Sequence, residues 1–162
     1  MIKIGLLSDT HFYWDDKFIQ YFSECDEIWH AGDIGSEEVL QQLEAIKPVR
    51  AVYGNIDGHL LRTICSKTLR FEVEGVSVLL THIGGYPGKY APEIRKELYA
   101  NPPQLFVCGH SHILKVMYDK NLQMLCINPG AAGKYGFHQV RTIIRFEIDR
   151  KEIKNMEVIE LA

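Results

Sequence analysis

At 162 residues the chain has the length of one ordinary domain, and a single domain over residues 1–162 is expected. Its 46% hydrophobic and 24% charged residues exclude a disordered chain, a collagen and a small disulfide scaffold. A formal charge of −3 argues against a stable complex with nucleic acid or an anionic membrane surface. The count to follow is the seven histidines, which are either scattered or gathered.

The elements in chain order begin with Ile2–Leu7, apolar at nearly every position, which reads as a strand buried on both faces. Asp15 and Asp16 can cap a helix whose Phe18, Ile19 and Phe22 form its buried face. Glu27–His30 is a second strand. Ser36 caps a helix with Glu37 and Glu38 in its first turn and Val39, Leu40, Leu43 and Ile46 as its apolar stripe. Pro48 ends that helix and Val49–Tyr53 is a third strand. This β-α-β-α-β order implies parallel strands joined by right-handed crossovers.

The second half reads differently. Leu69–Glu74 and Val76–Thr81 flank Gly75 as a hairpin, and Glu93–Tyr99 is helical before Pro102 and Pro103. Leu105–Cys108 is a buried strand. Leu114–Asp119 with Leu122–Ile127, and Val140–Ile148 with Ile153–Ile159, are antiparallel pairs around short polar turns. The expected architecture is α/β: a four-layer α/β/β/α sandwich of two mixed sheets flanked by helices. Met1–Leu7 is too short for a signal peptide or a membrane span, and Cys25, Cys65, Cys108 and Cys126 form no close pair. A cytoplasmic protein with reduced, buried cysteines is the expectation.

The chemistry sits where the strands end. The first strand runs into Asp9-Thr10-His11, the second into Gly32-Asp33, and the third into Gly54-Asn55-Ile56-Asp57. Val76–Thr81 leads into His82, and Leu105–Cys108 into Gly109-His110-Ser111-His112. In extended chain, residues i and i+2 point to the same side, so each pair can share a target. Five strands thus deliver Asp9, His11, Asp33, Asn55, His82, His110 and His112 to the carboxyl edge where open α/β sheets place ligands. Imidazole with carboxylate suits borderline divalent ions such as Mn, Fe, Zn, Co or Ni. Seven ligands exceed one tetrahedral ion but fit two ions sharing Asp33, the arrangement that clamps a phosphoryl group. Two such ions, opposed by Asp9, Asp33 and one hydroxide, leave the site at about +1, attractive to an anionic ester.

In order and spacing these five segments resemble the calcineurin-like metallophosphoesterases, from Lys3 to about Gly130. The small size and Asn128-Pro129-Gly130 resemble the compact YfcE-type phosphodiesterase branch. The resemblance implies a first metal held by Asp9, His11 and His112, a second by Asn55, His82 and His110, and Asp33 between them. It implies two divalent ions, Mn preferred and Mg a further candidate, and hydrolysis of a small phosphate ester by in-line attack of a metal-bridging hydroxide. Asp33, Asn55 and His82 would act by positioning metal and phosphate, and a homodimer or homotetramer is compatible. Many relatives carry a histidine that protonates the leaving oxygen where this chain has Ile56. His59 is the nearest substitute, and Asp57 would orient the loop.

Lower-ranked residues complete the expectation. His30 reads as a packed neighbour of the metal ligands. His138 falls in the loop after Asn128-Pro129-Gly130, where Lys134 and Tyr135 either touch substrate phosphate or belong to a solvated loop, and Phe12, Tyr13 and Trp14 form either an aromatic wall or helix packing. A phosphomonoesterase of broad specificity is the near alternative. A protein-binding scaffold of the same fold, like the small retromer subunit, is the distant one, and it predicts lost ligand positions.

Overall fold

The computed structural model describes residues 1–161. In chain order its elements are β1 (Ile2–Leu7), α1 (Lys17–Phe22), β2 (Glu27–His30), α2 (Glu37–Glu44), β3 (Val49–Ala51) and α3 (His59–Ile64). There follow β4 (Thr68–Val73), β5 (Val76–Thr81), the short pair β6 (Gly85–Tyr86) and β7 (Lys89–Tyr90), and α4 (Pro92–Ala100). The chain ends in β8 (Leu105–Val107), β9 (Leu114–Asp119), β10 (Met124–Pro129), β11 (Arg141–Asp149) and β12 (Glu152–Leu161).

Two five-stranded mixed sheets form, in the orders β12-β11-β1-β2-β3 and β4-β5-β8-β10-β9. β1, β2 and β3 run parallel in the first sheet, and β5, β8 and β10 in the second. The period-2 alternation of a strand explains the unbroken apolar runs. Ile4 and Leu6 face the second sheet and meet Val78, Leu80, Val107 and Ile127, whereas Leu7 faces the helices. Phe18, Phe22, Val39 and Leu43 cover the outer face of the first sheet, and Ile94 and Leu98 cover that of the second. The result is the α/β/β/α sandwich that the pattern of apolar runs predicts. Gly5 lets α1 approach closely, since a Cβ there would overlap the Phe22 ring.

The differences from the sequence expectation are local. Ile19 is exposed rather than buried: α1 has six residues, its inward row is Phe18 and Phe22, and Trp14 packs edge-on to Phe18 at 5.3 Å. Neither Asp16 nor Ser36 makes a side-chain cap bond, whereas Asp15 Oδ1 accepts from the Lys17 amide at 2.9 Å. The third strand stops at Ala51, because Val52 leaves the ladder to bridge Ser66. β10 starts two residues later than predicted, after a turn through Gln123 in the left-handed region. α3 and the β6–β7 pair are additional elements that the apolar pattern does not reveal.

Trp29 and Phe146 lie between the sheets with no exposed surface, ring centres 5.6 Å apart and edge to face. Removing so large a side chain leaves a cavity that two backed sheets cannot close. Phe146→Ala should therefore lower unfolding stability by about 3–5 kcal/mol. In a urea titration this would appear as an earlier midpoint with an unchanged slope; a midpoint within experimental error of the parent would contradict that packing.

Candidate dinuclear metal site

The carboxyl ends of β1, β2, β5 and β8 meet at one point above the sandwich, and the loop after β3 reaches it too. Two groups of potential ligands lie there, Asp9 with His11 and His112, and Asp33 with His82 and His110. In each group the ligand atoms lie within 4.8 Å of one another. Asp33 Oδ2 is 3.2 Å from His82 Nε2 and also 3.2 Å from His11 Nε2, so it stands between the groups. His112 Nε2 is 3.2 Å from Asp9 Oδ1. Asn55 joins through its Oδ1, 3.1 Å from His110 Nδ1. All seven residues expected from the strand ends are therefore brought together.

The backbone there is unusual. Asp9, His11, Asp33, His110 and His112 all adopt left-handed conformations, with φ of 53°, 44°, 56°, 72° and 62°. Such residues cost on the order of 1–3 kcal/mol each and persist only where the surroundings hold them. Here the holding groups are visible. Asp9 N donates to Gly32 O at 3.0 Å and His11 N to Asp33 O at 3.0 Å, tying the first loop to the second. The Asp57 carboxylate accepts from the amides of Ile34, Gly35 and Gly54, which performs the loop-orienting role expected of it. Gly54 must lack a side chain, because a Cβ there would overlap Asp33 Oδ1.

Asp9, Asp33 and His82 also have their rear atoms engaged. Asp9 Oδ2 accepts from Ser8 Oγ at 2.6 Å and from the His110 amide at 3.1 Å, leaving Oδ1 for the centre. Asp33 Oδ1 accepts from the Ile56 amide at 3.1 Å, leaving Oδ2. His82 Nδ1 donates to Ala31 O at 2.7 Å, which turns Nε2 inward. Asn128 Nδ2 donates to Gly109 O and to Ser111 Oγ, at 2.9 and 3.0 Å, and so pins the loop that carries His110 and His112. His30 is fully buried and packed behind the ligands, as expected. Its Nδ1 accepts from the Gly32 amide, which leaves the proton on Nε2 to reach Thr10 Oγ1 at 3.0 Å. Burial pushes the His30 pKa down to about 4, in keeping with that neutral tautomer.

Burial opposes charge on Asp9 and Asp33, but the facing imidazoles outweigh it and hold both carboxyls below the usual range. In return, the Asp33 and Asp9 carboxylates raise His11 to about 9. His82 is raised as well, its burial being outweighed by the same two carboxylates, whereas burial and the nearby His82 lower His110. Asp9 Oδ1, His11 Nε2 and His82 Nε2 are all buried without a hydrogen-bond partner, and all three face the centre. Buried polar atoms are almost always satisfied, so three converging orphans of metal-ligating type fit divalent cations.

Other sequence candidates fall around this centre. Ile56 is exposed and contributes its amide, not a proton. His59 is exposed at the start of α3, and it is Arg62, one turn on, that reaches the ligand loop: its Nε donates to Asp57 O at 2.7 Å. Trp14 belongs to helix packing, with its indole donating to Asp16. Tyr13 carries Lys134 and Arg141 over its ring, and Phe12 is exposed. Tyr135 stacks on His11 at 5.0 Å, and His138 donates to or accepts from nothing at Nδ1 while its Nε2 meets Gly133 O at 2.7 Å. The roles of Ser8 and Arg62 are missed from sequence, and no motif points to them. The signal for Asn128 was the Asn-Pro-Gly run after an apolar strand.

Residues 2–151 match the calcineurin-like phosphoesterase superfamily domain, and the chain belongs to that superfamily. It is 42% identical over 138 residues to a probable metallophosphoesterase of Methanocaldococcus jannaschii, covering 79% of this chain and 67% of that one. A probable metallophosphoesterase of Methanothermobacter thermautotrophicus is 31% identical over 136 residues, or 79% and 76% of the two chains. The fold is shared with a novel archaeal phosphodiesterase, at TM-score 0.79 and 24% identity over 99% of this chain and 100% of that one. It is shared also with Entamoeba histolytica Vps29 complexed with zinc, at TM-score 0.76 and 15% identity over 99% and 98%.

A metal ion bound at His11 Nε2 needs the bare lone pair, so loading must displace the proton that this ring holds up to about pH 9. Apparent Mn2+ affinity should rise about tenfold per pH unit between 7 and 9 for each proton displaced, then level off. Calorimetry in buffers of different ionisation enthalpy should register the released proton. A flat affinity across that interval would contradict the assignment of His11.

Proposed function

We propose that the protein is a dimetal-dependent phosphodiesterase of the compact YfcE-type branch, acting on a small phosphate ester with Mn2+ as its preferred ion. The observation that carries this reading is the convergence of Asp9 Oδ1, His11 Nε2 and His82 Nε2, buried and without a hydrogen-bond partner, around a shared Asp33. Asp9, His11 and His112 would hold one ion, Asn55, His82 and His110 the other, with Asp33 between them. When bound, two ions supply Lewis acidity towards phosphoryl oxygens and lower the pKa of water from 15.7 towards about 7.

The chain's own contribution is position and charge. A groove of about 190 Å³ opens beside Asn55 and His82, lined by Arg62, Lys67 and Glu93; Glu93 lies 3.2 Å from Lys67 and offsets one of the two positive charges. Those cations favour an anionic ester, which suits a mononegative diester or a dianionic monoester. Ile56 stands where a proton donor would assist departure of the ester oxygen, and an aliphatic side chain cannot donate. The enzyme should therefore favour esters whose leaving oxygen is weakly basic. The scaffold reading expects lost ligand positions, whereas all seven are filled and lie together here. Four free cysteines, three of them buried, are compatible with a cytoplasmic setting.

Metal-stripped protein should be inactive and Mn2+ should restore hydrolysis of a diaryl phosphate. Asp33→Ala should lower kcat/KM about a thousandfold, since it removes a ligand shared by both ions. The comparison of a good and a poor leaving group should show a loss of at least the 10²–10⁴-fold that general acid catalysis usually supplies. A folded protein inactive with every divalent ion would overturn the enzyme reading in favour of the scaffold. Equal rates on both leaving groups, with chemistry limiting, would overturn the role given to Ile56.

A further inference from the structure

A second groove, of about 480 Å³, borders the ligand cluster at His110 and His112 and shares no lining residue with the groove of Arg62 and Lys67. His110, Ser111, His112 and Ile113 form one wall, and Tyr135 and Phe137 the other. His110 belongs to one ligand group and His112 to the other, so a substituent of a phosphate seated at the cluster can reach this groove. Among the described residues that line this groove there is no carboxylate, ammonium or guanidinium. Its large side chains are instead Ile113, Tyr135 and Phe137, all exposed, with Phe137 projecting entirely into solvent.

The loop that presents these rings is built onto the ligands. Gly133 N donates to Asp9 O at 3.0 Å, and Tyr135 stacks on His11 with only 20° between the planes. Gly136 lies against His112 so closely that a Cβ would overlap its Nδ1, and its φ of 129° is one that only glycine adopts readily. His138 packs edge-on to the other side of His112, at 5.1 Å. Tyr135 and Phe137 flank a glycine whose place is dictated by a candidate metal ligand. The two rings are thus held beside the ligand cluster with most of their surface open to a bound molecule.

We propose that this groove is the subsite for a planar, uncharged ring carried on the phosphate ester, a nucleobase or an aryl group, bound by stacking against Phe137 and Tyr135. The proposal rests on the phosphoesterase reading above and deepens it by giving the substrate two unlike ends. One end faces Arg62 and Lys67; the other is aromatic and neutral. Stacking tolerates any base because every base has a π-face, so the groove selects a ring over none and does not read base identity.

The test compares two ligands with the same phosphate. Binding of adenosine 5′-monophosphate and of ribose 5-phosphate to the full Mn2+-loaded chain is measured by calorimetry. The nucleotide should bind roughly fivefold or more tightly, the low end for base–aromatic stacking. Phe137→Ala combined with Tyr135→Ala, both at exposed positions that spare the core, should bring the nucleotide down to the affinity of the sugar phosphate. Equal affinities in the parent protein would overturn the subsite while leaving the phosphate reading intact. A preference that survives the double substitution would overturn its location. Failure of both ligands to bind the loaded protein would overturn the phosphoesterase reading and the subsite with it.

Discussion

The structure depends on the burial of two carboxylates, Asp9 and Asp33, at one point between neighbouring strand ends. Neither is more than marginally exposed, and an uncompensated charge in such a place is costly enough to unfold a small domain. Three imidazoles, those of His11, His82 and His112, face that charge, and the rear oxygens are satisfied by Ser8 and by the amides of His110 and Ile56. Without metal, a protonated His11 partly balances the pair. Ions of higher charge would balance it better, and the three unpartnered inward atoms are where they fit.

This constraint accounts for the backbone around it. A carboxylate after β1 and one after β2 meet only if the chain bends back immediately after each strand, which is why Asp9, His11 and Asp33 are left-handed. The bends are held by long-range bonds: Asp57 to three amides, Asn128 to the loop of His110, and Gly133 to Asp9. The sandwich below supplies rigidity, because helices pack on the outer face of each sheet and the two sheets share one inter-sheet core. Precise ligand placement therefore rests on packing some distance from the site, and loop strain is tolerated because the sheets cannot yield.

The two sheets and the seven site residues were legible in the sequence for one reason. Strands buried on both faces are continuous apolar runs, and each such run led into an aspartate or a histidine. Period alone located β1, β2, β5 and β8 and so located Asp9, Asp33, His82 and His110. What was not legible depends on contacts between distant segments. The helix α3 is too short to show a period, and Ile19 was assigned to a buried face that six residues cannot supply. Residue type marked Asp16 and Ser36 as caps, but whether a side chain bonds its own helix is decided by its neighbours. Tyr135 lies 124 residues beyond His11, and nothing local announces that their rings stack.

The central claim is that the carboxylate pair and its imidazoles form one dinuclear centre rather than a buried ion-pair network. Anomalous diffraction from crystals loaded with Mn2+ tests this most directly. The account predicts two peaks per chain, about 3.5–4 Å apart, with Asp33 in contact with both. A single peak, or none in a well-ordered chain, would show that the cluster is held together by protons and hydrogen bonds alone.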